Sequence, residues 1–183
     1  MSANAREVPT HYSAAAKWLH WCVAVAVITL LLTGPAMKRI VPEGDLRDSL
    51  YNFHEALGAL TLILMVARLA RRALSGVPAP SQLSKLESGA SLGAQCALYV
   101  LLLVSPLLGW AGTNAYGDPV SVFGLFTFPS IAAKDVPLSD RIFAWHLICG
   151  ILIAAIVALH VAGALYHRIV KHDGVLARMW PGG

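Results

Sequence analysis

Charge is scarce in this chain. Fourteen Lys and Arg and ten Asp and Glu are spread over 183 residues, 13% of the total, against 57% hydrophobic residues and a mean hydropathy of +0.64. A water-soluble domain of this length is not built from such a composition, so the chain is an integral membrane protein. Cysteine is scarce too. Cys22, Cys96 and Cys149 stand far apart inside apolar runs and form no CxxC or CxxCH pairing, which excludes covalent c-type haem attachment and leaves them as packing residues. Internal repeats and low-complexity tracts are also absent. The formal charge is +4, but the basic residues flank apolar runs and form no stripe, so nucleic acid is not an expected partner and the lipid bilayer is.

What the chain has in quantity is long apolar runs. Four of them, at about 14–33, 54–74, 90–112 and 143–167, are long enough to cross a bilayer, where only a helix satisfies its own backbone. The expected fold is all-α: an integral membrane four-helix bundle of up-down topology, with residues 1–183 forming one transmembrane domain. The first run lacks a small-residue cleavage motif and ends at Thr33-Gly34-Pro35, so it is expected as a retained span. The third contains no histidine and reads as scaffold, kinked but not ended by Pro106. Residues 34–53, with Pro35, Pro42 and Gly44, and 75–89, with Pro78 and Pro80, read as surface loops. The oily stretch from Val122 to Pro129 is expected at the membrane interface, as are Trp18 and Trp21.

Orientation follows from Lys and Arg. The termini and the middle loop hold Arg6, Lys17, Arg68, Arg71, Arg72, Lys85, Arg168, Lys171 and Arg178; the other two loops hold only Lys38, Arg39, Arg47, Lys134 and Arg141. The excess puts both termini in the cytoplasm.

The chemistry lies in the histidines. His146 and His160 sit fourteen residues apart in the fourth run, about 40° apart around a helix and about 21 Å apart along it, so both look out of one face at two depths. An ionisable group inside a span is costly and points to function, although a lone one is equally compatible with a hydrogen bond to a neighbouring helix. Taking the direction of each span, His20 pairs in depth with His160 on the inner side and His54 with His146 on the outer side. Such pairs can grip haem iron, bind a bare metal or hydrogen-bond each other. A bare metal recruits further carboxylate or thiolate ligands, and only Glu55 is near; haem needs two axial imidazoles and a wide apolar slot. The residue four places after each histidine is small, Ala24, Gly58, Gly150 and Ala164, which fits a slot and fits close helix packing as well. Arg68 lies fourteen residues after His54, at the inner pair's level, where it either meets a haem propionate or caps the helix and snorkels to lipid phosphate.

Taken together, Trp18-Leu19-His20-Trp21, His54 with Gly58 and the Arg68 to Arg72 tail, Leu98-Tyr99 with Pro106 and Gly109, Trp145-His146 and Leu159-His160 resemble the bacterial cytochrome b561 family of small di-haem inner-membrane proteins, which includes a superoxide oxidase. One departure is Gln95, where many relatives carry histidine. The resemblance implies two haem b, each held by two of His20, His54, His146 and His160, in the pairs that span direction alone predicts. It also implies a reaction in which superoxide, or another one-electron donor, is oxidised at the periplasmic face and ubiquinone is reduced. His167, seven residues after His160 and near the inner interface, resembles the family's quinone-site histidine; the plainer reading is a solvated interfacial side chain. The alternative function is a haem b anchor that passes electrons between quinone and a partner dehydrogenase. His11 reads as a surface residue.

Overall fold

The computed structural model describes residues 12–75 and 83–180; His11 and the loop prolines Pro78 and Pro80 lie outside them. Four helices long and apolar enough to cross a membrane account for nearly all of it. Helix α1 (Ala14–Pro35) continues into a π-helical turn at Ala36–Ile40, α2 spans Asp45–Ser75, α3 spans Lys85–Tyr116, and α4 (Val136–Tyr166) runs into a second π-helical turn at His167–Lys171. A small antiparallel hairpin, β1 (Ser121–Val122) and β2 (Phe126–Thr127), interrupts the otherwise all-α fold, and a 3-10 turn (Ala177–Met179) closes the described chain.

The helix starts are built by local polar chemistry. Ser13 accepts from the Ala16 N–H, Asp135 accepts from the Leu138 N–H, and Ser84 and Glu87 form a reciprocal capping box on α3. These caps carry α3 and α4 several residues beyond the hydrophobic runs. The same holds for α2, where the expected surface loop at 34–53 is corrected. The chain stays helical to Ile40 and resumes at Asp45, so His54 sits nine residues inside its helix. Asp45 and Asp48 in the first turn favour the helix N-terminus electrostatically, and a helix does not stop where apolar residues do. Helix α3 passes through Pro106 unbroken, as expected.

Packing runs in sequence, α1 on α2, α2 on α3 and, most extensively, α3 on α4. Among the described residues α4 makes no comparable contact with α1 or α2. A central apolar layer of Val23, Val27, Met65, Leu102 and Ile153 ties the bundle together. Ile153 lies seven residues from both His146 and His160, so this layer separates the two histidine levels. Outward-facing Val25, Leu32 and Leu159 are each more than 60% exposed, as suits side chains facing lipid.

At Gly112, α3 and α4 are in tight contact. A Cβ there would meet Phe143 Cε1 at 2.8 Å, and the buried Ser139 hydroxyl donates to the Gly112 carbonyl at 2.9 Å. Gly112→Ala is therefore expected to lower the thermal midpoint of the purified protein, at a cost of roughly 1–3 kcal/mol from overpacking.

The hairpin covers the end of the bundle that carries His54 and His146. Val120 and Val122 pack on Ala59 of α2, with Trp110 and Phe128 beside them. Its turn puts Phe123 and Gly124 in left-handed backbone, the pairing a tight hairpin turn demands, and leaves Leu125 and Phe126 exposed. Trp21 donates its indole N–H to the Met179 carbonyl at 2.8 Å and packs edge-on against Trp180. Trp18 remains exposed. All three cysteines are free; Cys149 is buried, whereas Cys22 and Cys96 face outward rather than into the packing.

Candidate functional site

The four membrane histidines come together in two couples. His54 of α2 and His146 of α4 have ring centres 6.2 Å apart, and His20 of α1 and His160 of α4 have theirs 6.3 Å apart, each couple crossed edge to face. Both couples span the gap between α4 and the α1–α2 pair. Neither couple is joined by a hydrogen bond, so direct bonding between the imidazoles is not what holds them. An ion gripped along the axis of two imidazoles sets ring centres about 6.2–6.4 Å apart, from metal–nitrogen bonds of about 2.0–2.1 Å and about 1.1 Å from nitrogen to ring centre on each side. The observed spacings fall in that range.

The His54–His146 couple, the outer one in the orientation expected from the charges, is also poised in tautomer. His146 Nδ1 lies 2.9 Å from the Ser105 carbonyl, which can only accept, so Nδ1 carries the proton and Nε2 keeps its lone pair. His54 Nδ1 lies 2.9 Å from Thr33 Oγ1. The Thr33 hydroxyl hydrogen is already donated to the Thr29 carbonyl at 2.9 Å, so Thr33 accepts from His54 and frees the same nitrogen, Nε2. Metal-binding histidines are held this way. Gly109 of α3 stands against His146 and Gly34 of α1 against His54, each where a Cβ would come 3.4–3.5 Å from the imidazole Cε1. The inner couple lacks this support: His20 Nδ1 is buried with no partner.

Space for a planar group is present at the outer level. A Cβ built on Gly58 or Gly150, one turn from His54 and His146, meets nothing within 4 Å. That favours the slot over close packing as the reason for small residues there. Among the described residues no three of His, Cys, Asp and Glu gather as a metal cluster. Glu55, the nearest acid, accepts instead from Thr113 Oγ1 at 3.1 Å. Two imidazoles without further protein ligands suit an ion whose remaining positions a macrocycle fills.

Arg68 reaches the inner level. It lies over the Tyr99 ring at 5.4 Å, with Arg72 at 5.6 Å, and is close enough to His20 and His160 to act on both electrostatically. His167 stands in the π-helical turn, where its Nδ1 donates to Asp173 Oδ2 at 2.5 Å and its ring meets Tyr166 edge-on. That bond holds the Asp173 carboxyl below the usual carboxylate range, so the pair is intact at neutral pH and is lost only as pH falls through the lowered value. Lys171 pairs with Glu87 across to α3. Gln95 donates to Ser91 Oγ one turn earlier.

Sequence reasoning gave Thr33 and Ser105 no part in the site, and α3 is more than scaffold because it supplies Ser105. Thr33 had a signal, its position thirteen residues after His20, at the outer level. Ser105 acts through its main-chain carbonyl, which no side-chain pattern records.

A lipid-embedded helical bundle with imidazole couples facing across an open slot defines a membrane protein of the b-type cytochrome class. A family model described as prokaryotic cytochrome b561 matches residues 11–182, and the chain belongs to that family. It is 27% identical over 172 residues to cytochrome b561 homolog 2 of Escherichia coli K12, covering 93% of this chain and 92% of that protein. It is 26% identical over 170 residues to cytochrome b562 of Cereibacter sphaeroides, covering 88% and 89%. Family membership makes this a multi-pass bacterial membrane electron-transfer protein carrying haem b.

Proposed function

We propose that the chain is a di-haem inner-membrane oxidoreductase, with both termini cytoplasmic, that oxidises superoxide at the periplasmic face and reduces ubiquinone: two superoxide, one ubiquinone and two protons give two dioxygen and one ubiquinol. The observation that carries this reading is the presence of two equally spaced imidazole couples separated by an apolar layer. A haem held by both imidazoles of a couple would supply outer-sphere one-electron transfer. His54 and His146 would hold the outer group, and His20 and His160 the inner one.

The remaining work falls to side chains at the two faces. On the outer side Arg47 is neutralised by Glu43 at 2.6 Å, whereas Lys38, Arg39, Lys134 and Arg141 enter no salt bridge among the described residues and supply the positive potential that attracts an anionic donor. On the inner side Arg68 would neutralise a haem propionate. His167, anchored through Nδ1 on Asp173, leaves the Nε2 lone pair free to take a proton from water at the cytoplasmic face and pass it to a reduced quinone oxygen.

Stopped-flow mixing of the oxidised holoprotein with superoxide tests the reading. Rapid haem reduction, and quinol formation when a soluble ubiquinone analogue is added, is expected; no reduction by superoxide refutes the donor. His167→Ala is expected to slow quinol formation by about 10²-fold or more with haem content unchanged. Loss of haem in that variant would make His167 a structural residue instead.

A further inference from the structure

The two histidine levels are built differently, and the difference has a sign. At the outer level both imidazoles donate from Nδ1, His54 to Thr33 Oγ1 and His146 to the Ser105 carbonyl. A hydrogen bond from Nδ1 makes the ligand more basic, and a more basic ligand stabilises the oxidised, more highly charged iron. At the inner level His20 Nδ1 has no acceptor, and among the described residues no hydrogen bond from a ring nitrogen of His160 is present. What the inner level has is charge. Arg68 lies near both imidazoles and enters no salt bridge among the described residues, and its guanidinium rests on Tyr99. A fixed cation in a medium of low dielectric favours the reduced, less positive state.

We infer that the chain sets the outer site to the lower reduction potential and the inner site to the higher, through Thr33 and the Ser105 carbonyl outside and Arg68 inside, so that electrons run from the periplasmic to the cytoplasmic level. This rests on the two-haem reading above and adds to it the order of the two potentials and the residues that set it. Thr33 and Arg68 are positioning and tuning residues here, not ligands.

The test is a spectroelectrochemical titration of the purified holoprotein. Two components are expected, and the one missing from His54→Ala is the lower in potential. Thr33→Val keeps the side-chain shape and removes the acceptor; it is expected to raise the lower potential and leave the upper one in place. Arg68→Gln is expected to lower the upper potential alone. Arg68→Lys, which keeps the charge, is expected to restore it and so separates electrostatics from a packing fault. Reversed order of the two components, or either variant failing to move its own component, overturns the gradient. A protein that binds one haem or none overturns the di-haem reading instead, and the haem-to-protein ratio measured on the same sample tells the two failures apart.

Discussion

Replacing His54 or His146 by alanine is expected to remove half of the haem and leave the other half, and replacing His20 or His160 is expected to remove the complementary half. The couples are joined only across the gap, with ring centres 6.2 and 6.3 Å apart, so losing one imidazole leaves its partner facing an iron with a single protein ligand. The apolar layer of Val23, Val27, Met65, Leu102 and Ile153 lies between the levels and does not depend on either couple, so the bundle should persist in each single variant. Pyridine haemochrome quantification per polypeptide, read with reduced-minus-oxidised spectra, checks both statements. His54→Ala and His146→Ala must abolish one and the same spectral component. If His20→Ala and His54→Ala abolish the same one, the assignment of couples is wrong.

Filling the outer slot is expected to do nearly as much damage without touching a ligand. A Cβ on Gly58 or Gly150 meets nothing within 4 Å, so Gly58→Leu or Gly150→Leu has room to fold, and its side chain then occupies the space a planar cofactor needs. The expected result is a bundle with unchanged helical circular dichroism that has lost the outer haem and kept the inner one. Alanine at the same places should be tolerated. Were these glycines present for close helix packing, leucine would instead unfold or aggregate the protein and alanine would already cost stability, as Gly112→Ala is expected to, because Phe143 fills the space there.

Much of the site could be read from the chain because a membrane helix converts sequence number into depth. With about 1.5 Å of rise per residue and alternating span direction, His20 and His160 had to share one level and His54 and His146 the other. Arg68 was placed at the inner level by the same counting, and its charge acts on both His20 and His160. The helix ends were less legible. Hydropathy marks where lipid stops, whereas the Ser84–Glu87 and Asp135 caps and the acidic start of α2 decide where the helix starts, and those lie outside the apolar runs. The fate of Trp21 was hidden for a different reason: its partners Met179 and Trp180 are distant in sequence and carry no periodic signal.

The sequence alone determined that this protein lives in a bilayer, crosses it four times and carries its imidazoles at two depths, because hydrophobic run length and helical rise are local quantities. Only the tertiary structure decided that α4 stands off from α1 and α2, that Gly58 and Gly150 border open space, and that Thr33 and the Ser105 carbonyl orient the outer imidazoles while the inner ones answer to Arg68. Those features depend on how helices rotate and approach one another, and a small residue or a main-chain carbonyl looks the same in sequence whether it faces a neighbour, a slot or a histidine.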